Sequence, residues 1–80
     1  MEIKILGGGC AKCNRLEKLA QDVAEELDVD ATFVHVREMD EIMAYDITST
    51  PALVINEEVK CFGRVPRKDE MIGWIQQAAA

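Results

Sequence analysis

The first half of this fold is decided by residues 3–13, which read IKILGGGCAKC. The mostly apolar residues 3–6 predict a short strand, and three glycines end it. A helix is expected to follow at once, so that Cys10 and Cys13 share its first turn. Two thiols at this spacing lie on one helix face, and the helix N-terminus adds partial positive charge that stabilises a thiolate. Such a pair can form a reversible disulfide or bind a soft metal ion.

Composition limits the kinds of protein that this chain can be. Its 80 residues predict one small domain, residues 1–80, and 49% hydrophobic with 30% charged residues is ordinary for a globular protein. The net charge of −6 argues against binding to nucleic acids and to anionic membranes. The sequence has no apolar run of about 20 residues, and its first residues do not resemble a signal peptide. We therefore expect a cytoplasmic monomer.

The number of cysteines also helps to distinguish a secreted disulfide scaffold from a redox-active or metal-binding protein. There are three, whereas a secreted disulfide scaffold normally has an even number at wider spacings. A close CxxC pair in a cytosolic protein is typical of redox catalysis or metal binding. The third cysteine, Cys61, is interpreted as a small buried hydrophobe rather than as a third reactive thiol or a metal ligand, because nothing beside it in the sequence would activate a thiolate.

The helix after the glycines is predicted over residues 11–27. Its apolar residues recur at helical spacing and form one stripe. That stripe consists of Leu16, Leu19, Ala20, Val23 and Leu27. Cys13 lies three residues before Leu16 and should be buried with the stripe, whereas Cys10 should be exposed at the start of the helix.

The remaining elements follow from alternation and from turn residues. A strand is predicted over 31–36, a short helix over 38–46, a hairpin from strands 52–55 and 59–62, and a last helix over 67–78. The order β-α-β-α-β-β-α predicts an α/β fold with a four-stranded mixed sheet covered by three helices.

Several side chains and backbone positions can be assigned within those elements. In the short helix, Met39, Ile42 and Met43 are expected to face inward. In the second strand of the hairpin, Val59, Cys61 and Gly63 are expected to share one face. Asp46 and Asn56 are expected to adopt positive φ, which Asp and Asn tolerate better than most residues.

Two landmarks together carry a family resemblance across nearly the whole chain. One is the CAKC motif of residues 10–13, and the other is Thr50-Pro51 directly before the hairpin, followed by Ala52-Leu53-Val54. With this element order the chain resembles the thioredoxin-like superfamily, in particular its small, glutaredoxin-sized prokaryotic redox-active disulfide proteins. The resemblance implies a thioredoxin/glutaredoxin-like βαβαββα fold.

The resemblance also implies roles for these residues. Cys10 would be the attacking thiolate and Cys13 the resolving thiol of a thiol–disulfide oxidoreductase, with no cofactor beyond the Cys10–Cys13 disulfide. Thr50-Pro51 would be a cis peptide whose backbone positions the substrate. The partners would be protein disulfides and a reductase. Lys12 either favours the thiolate of Cys10 or is simply a solvated charge.

The chain departs from the thioredoxin pattern at three points, and two other functions stay open. Gly9 stands where thioredoxins have Trp, the motif contains no proline, and Lys4 is the nearest charged residue where a buried acid is usual. The alternatives are a soft-metal chaperone and a non-catalytic redox-sensing or delivery module. No metal ligands beyond the motif are predicted, and His35 is interpreted as a structural or solvated residue at a sheet edge.

Overall fold

A computed structural model gives the fold and describes residues 1–9 and 11–80. Its described part contains four strands in one sheet, in the order β2-β1-β3-β4, and three helices, which confirms the predicted α/β fold. The elements in chain order are β1 Glu2–Leu6, α1 Ala11–Glu26, β2 Thr32–Val36, α2 Met39–Met43, β3 Ala52–Ile55, β4 Glu58–Phe62 and α3 Lys68–Ala79.

Strand β1 lies inside the sheet and is paired on both sides. It runs parallel to β2, with Glu2 opposite Thr32 and Leu6 opposite Val36, because α1 carries the chain back across the sheet. It runs antiparallel to β3, which is joined to β4 by a hairpin. The carboxyl end of β1, followed by the glycines, therefore leads into the start of α1.

Both faces of the sheet are covered. Under α1 and α3 lies a first core cluster, which consists of Ile3, Ile5, Leu16, Ala20, Val23, Leu53, Ile55, Cys61, Met71 and Ile75. A second, smaller cluster on the other face consists of Leu6, Val36, Ile42, Ala52 and Val54. All four residues of β3 are buried, as expected for a strand packed on both faces.

The hairpin is tighter than the sequence predicts. Asn56 and Glu57 have φ of 50° and 68°, which confirms positive φ at Asn56 and makes a two-residue turn typical of hairpins. The register then shifts: Leu53 pairs with Cys61, but Val54 pairs with Val59. Lys60 is thus an additional residue in β4, a β-bulge.

The bulge overturns one prediction about β4. Val59 packs against the second cluster, while Cys61 belongs to the first cluster on the opposite face. The expectation that Val59, Cys61 and Gly63 share one face was therefore wrong. The reason is that strict two-residue alternation does not continue through a bulge.

Helix α2 is shorter than predicted, and its methionines do not face inward. Ile42 is buried, but Met39 and Met43 are 65% and 66% exposed. The prediction for these two methionines was wrong because α2 is little more than one turn, so only one of its apolar side chains reaches the second cluster. Tyr45 and Ile47 pack there instead, after the helix has ended. The positive φ expected at Asp46 is confirmed at 58°.

Candidate functional site

Cys13 lies where the sequence predicts it. It is in the first turn of α1, and its side chain is fully buried, which confirms the predicted continuation of the apolar stripe. Ala11 and Lys12, which lie within the same motif, are exposed. Cys10, the predicted attacking residue, lies outside the described residues, and so does its expected exposure.

Gly7 provides the space for the Cys13 side chain. The backbone of Gly7 passes so close to the Cys13 Sγ that a Cβ at position 7 would collide with the sulfur. The same Cβ would lie 3.8 Å from the Cα of Pro51. The end of β1, the start of α1 and the segment before β3 therefore meet at the buried sulfur, so the structure brings together Cys13 and Pro51.

The segment that contains Pro51 is held by the end of β4. The Thr50-Pro51 peptide bond is cis, which is the isomer that the resemblance implies. Pro51 is buried and Thr50 is exposed. The N–H of Gly63 donates to the carbonyl of Pro51 at 2.8 Å. Gly63 has φ of 79°, a left-handed conformation that favours glycine, and a Cβ there would also meet the Ser49 Oγ.

Two residues at the carboxyl end of β2 also contact the glycine turn. His35 Nε2 lies 3.2 Å from the Gly7 carbonyl, to which it must donate because a carbonyl oxygen only accepts. His35 Nδ1 lies 3.6 Å from the Glu17 carboxylate on α1. A Cβ at Gly9 would lie 3.6 Å from the Arg37 Nη1, so the guanidinium lies beside the residue that precedes Cys10.

His35 lies on the edge strand β2, as the sequence indicates. Its place beside the glycine turn and the approach of Arg37 to Gly9 were not predicted. Strand alternation indicates only that positions 35 and 37 lie on one side of the chain, and it does not show that this side meets the glycine turn.

Lys4 belongs to a different part of the molecule. Its Nζ lies 2.6 Å from the Glu57 Oε1 and 2.8 Å from the Tyr45 hydroxyl. These contacts raise the pKa of Lys4 and lower the pKa of Glu57. Lys4 lines a cavity with Val34, Val36 and Tyr45, on the face of the second cluster. The structure does not bring Lys4 together with Cys13, so Lys4 does not take the place of the missing buried acid.

The third cysteine is enclosed in the core. Cys61 is 7% exposed within the first cluster, which confirms its predicted burial, and burial raises the pKa of its thiol. A thiol in such surroundings is a poor nucleophile.

Arg64, three residues after Cys61, forms a bidentate ion pair with Glu70. Both contacts are 2.9 Å long, and this pair lowers the pKa of Glu70 to about 2.

Within residues 1–9 and 11–80, no helix is long and apolar enough to cross a membrane. Nor does that part contain a group of three or more His, Cys, Asp or Glu residues arranged to hold a metal ion.

Known proteins resemble this chain in sequence and in fold. The family model described as the thioredoxin domain matches residues 1–76. A thioredoxin of Methanothermobacter thermautotrophicus is 44% identical over 71 residues, which cover 89% of this chain and 92% of that protein. A thioredoxin of Methanocaldococcus jannaschii is 32% identical over 69 residues, 86% of this chain and 79% of that protein.

A solved structure resembles the fold as well. Thioredoxin 1 of Thermosipho africanus superposes with a TM-score of 0.62 over 99% of this chain and 94% of that chain, at 24% identity. At this identity the likeness concerns the fold alone.

Proposed function

Because this chain belongs to the thioredoxin domain family, we propose that it is a thiol–disulfide oxidoreductase that exchanges its CxxC dithiol with disulfides of proteins. Cys10 is the attacking thiolate in this proposal, and Cys13 is the resolving thiol. Thr50 and Pro51 position the substrate, and Lys12 favours the thiolate of Cys10.

One observation carries the proposal. The Cys13 Sγ is fully buried against Gly7 and next to Pro51, whereas its motif neighbours Ala11 and Lys12 are exposed. A buried thiol does not meet a large protein substrate directly, but it can attack a sulfur atom that the adjacent motif position has already bound. This supports a division of roles in which Cys10 reacts first and Cys13 second.

The exchange balances without a further cofactor. The Cys10 thiolate attacks one sulfur of the substrate disulfide, the substrate S–S bond breaks, and one substrate sulfur leaves as a thiolate. The Cys13 thiolate then attacks the Cys10 sulfur, the mixed disulfide breaks, and the second substrate sulfur leaves. Two electrons pass to the substrate, and its two thiolates take up the protons that the two motif cysteines release. A reductase must then return two electrons to the Cys10–Cys13 disulfide.

The test is the reduction of a protein disulfide by the reduced protein. Chemically reduced protein, freed of reductant, is mixed with insulin, and the release of insulin thiols is followed. We expect stoichiometric reduction by the wild type and none by Cys10→Ser. Cys61→Ala serves as the matched control, because it removes the buried cysteine outside the motif and should leave the exchange intact. Equal activity of wild type and Cys10→Ser would contradict the proposal.

The same experiment separates exchange from metal delivery. A heavy-metal domain with a CxxC motif has the element order β-α-β-β-α-β, whereas this chain has β-α-β-α-β-β-α. Absence of insulin reduction, together with tight zinc or copper binding that Pro51→Ala leaves unchanged, would favour the metal chaperone. Reduction that is lost in Cys10→Ser would favour the oxidoreductase over both the chaperone and a non-catalytic module.

A further inference from the structure

Some Lys and Arg side chains of the described residues form ion pairs with carboxylates, and others do not. The chain has nine Lys and Arg residues. Six of them lie within 4.0 Å of a carboxylate, and these are Lys4, Lys18, Lys60, Arg64, Arg67 and Lys68. Among residues 1–9 and 11–80, no carboxylate lies that close to Lys12, Arg15 or Arg37.

These three unpaired cations all lie at the end of the molecule that carries the CxxC motif. Lys12 and Arg15 are neighbours on α1 at a spacing of three residues, and both are exposed. Arg37 is exposed as well, with its guanidinium beside Gly9. We call Lys12, Arg15 and Arg37 the cationic rim.

The nearby carboxylates do not neutralise the cationic rim. Glu17 faces His35, at 3.6 Å from its Nδ1. Glu38 follows Arg37 in the chain, but within residues 1–9 and 11–80 the two side chains do not form an ion pair. The other acidic residues of α1 line a shallow cavity towards its C-terminal end, namely Asp22, Glu25 and Glu26. Helix α1 is therefore polarised, with its positive side chains towards the motif.

The position of the cations on α1 runs against local helix stability. Acidic residues are favourable in the first turn of a helix and cations are unfavourable there, because of the helix dipole. Helices α2 and α3 follow this rule, with Asp40 and Glu41 in one first turn and Asp69 and Glu70 in the other. The first turn of α1 has no acidic residue and contains Lys12. Sequences break such local rules chiefly at functional sites.

We propose that the cationic rim docks an acidic segment that flanks the disulfide of a partner protein. The proposal rests on the proposed function, because it concerns the surface around the same CxxC motif. The net charge of −6 would repel an acidic partner from most directions. The cationic rim attracts the partner locally, and it therefore orients the encounter so that the CxxC motif meets the disulfide. The same net charge disfavours a nucleic acid as the occupant.

The probes are three synthetic peptide dimers, each joined by one cystine. The residues that flank the cystine are glutamates in the first dimer, glutamines in the second and lysines in the third. Reduced protein is mixed with each dimer, and the second-order rate constant for release of the peptide thiol is measured at about 0.02 M and about 0.5 M salt. The ratio of the acidic to the neutral rate constant is the readout, because a changed thiolate reactivity alters both rate constants alike.

We expect the wild type to react about tenfold faster with the acidic dimer than with the neutral dimer at low salt, and less than about twofold faster at high salt. The double variant Arg15→Gln/Arg37→Gln, which keeps Lys12 within the motif, should lose most of this preference. The matched control Lys18→Gln/Lys68→Gln removes the same charge from exposed, paired positions and should keep the preference.

Each outcome bears on the proposal. Equal rate constants for the acidic and neutral dimers would overturn it, and so would an equal loss of preference in the two double variants, which would assign the effect to net charge. A rim-dependent preference for glutathione disulfide over the acidic dimer would also overturn it in favour of a small carboxylate ligand. Failure of all three dimers to react would instead contradict the proposed function.

Discussion

Replacement of Gly7 by alanine tests whether the buried Cys13 sulfur needs the space that the glycine leaves. A Cβ at Gly7 would collide with the Cys13 Sγ and would lie 3.8 Å from the Pro51 Cα. Both the sulfur and Gly7 are buried, so neither can move into solvent. The substitution must therefore rotate the Cys13 side chain away from Gly7, or displace the first turn of α1 or the segment before β3.

The magnitude follows from the cost of overpacking a core. Inserting a methyl group into a filled site typically costs about 1–3 kcal/mol. For a domain of this length, each kcal/mol corresponds to roughly 4–8 °C in Tm. Gly7→Ala should therefore lower the Tm by at least about 4 °C. Because each of these changes moves the Cys13 sulfur or its surroundings, the resolving step of the exchange should slow as well.

The assay pairs thermal unfolding, which gives the Tm, with the rate of insulin reduction, and Gly8→Ala is the matched control. A Cβ at Gly8 would meet no heavy atom within 4 Å, so this neighbouring substitution should leave both quantities nearly unchanged. If Gly7→Ala proved as stable and as active as Gly8→Ala, the argument that the sulfur packs against the Gly7 backbone would be refuted.

Two further predictions concern stability. The pKa of Glu70 is lowered from 4.5 to about 2 by its ion pair, so its contribution to stability is complete above pH 4.5 and is lost as the pH falls towards 2. In Glu70→Gln the urea midpoint should therefore fall less steeply over that pH range than it does in the wild type. In α2, Ile42→Ala should cost about 2–5 kcal/mol in urea unfolding, and Met39→Ala or Met43→Ala less than about 0.5 kcal/mol. Equal costs at the three positions would contradict the exposure of the two methionines.

Much of the fold could be predicted from the sequence because its elements have strong local signals. The apolar stripe of α1 predicts both the helix and the burial of Cys13, and the glycines mark the end of β1. The parallel pairing of β1 with β2 follows from the helix between them. These features depend on residues that are near one another in the chain, which is why one sequence is enough to find them.

The errors arose where a contact distant in sequence decides the structure. The bulge at Lys60 sends Val59 and Cys61 to opposite faces, and alternation alone cannot reveal it. The length of α2 depends on how far the second cluster extends, since Tyr45 and Ile47 complete that cluster in place of the methionines.

The candidate site shows the same division. Its motif cysteines and Thr50-Pro51 could be chosen from the sequence, because their types and spacing carry the chemistry. The sequence does not reveal that Arg37 approaches Gly9 or that His35 forms a hydrogen bond with Gly7. Both contacts depend on how the end of β2 meets the glycine turn in three dimensions. The cationic rim likewise emerges only when every ion pair is known.

Cys10 attacks and Cys13 resolves in the proposed exchange, and trapping the mixed disulfide distinguishes these two roles. Cys13→Ser, prepared in the Cys61→Ala background, is mixed with a peptide disulfide and analysed by mass spectrometry of proteolytic fragments. We expect a stable adduct of one peptide on Cys10, and no adduct in the corresponding Cys10→Ser protein. An adduct on Cys13 in the Cys10→Ser protein, with none on Cys10 in the Cys13→Ser protein, would contradict it.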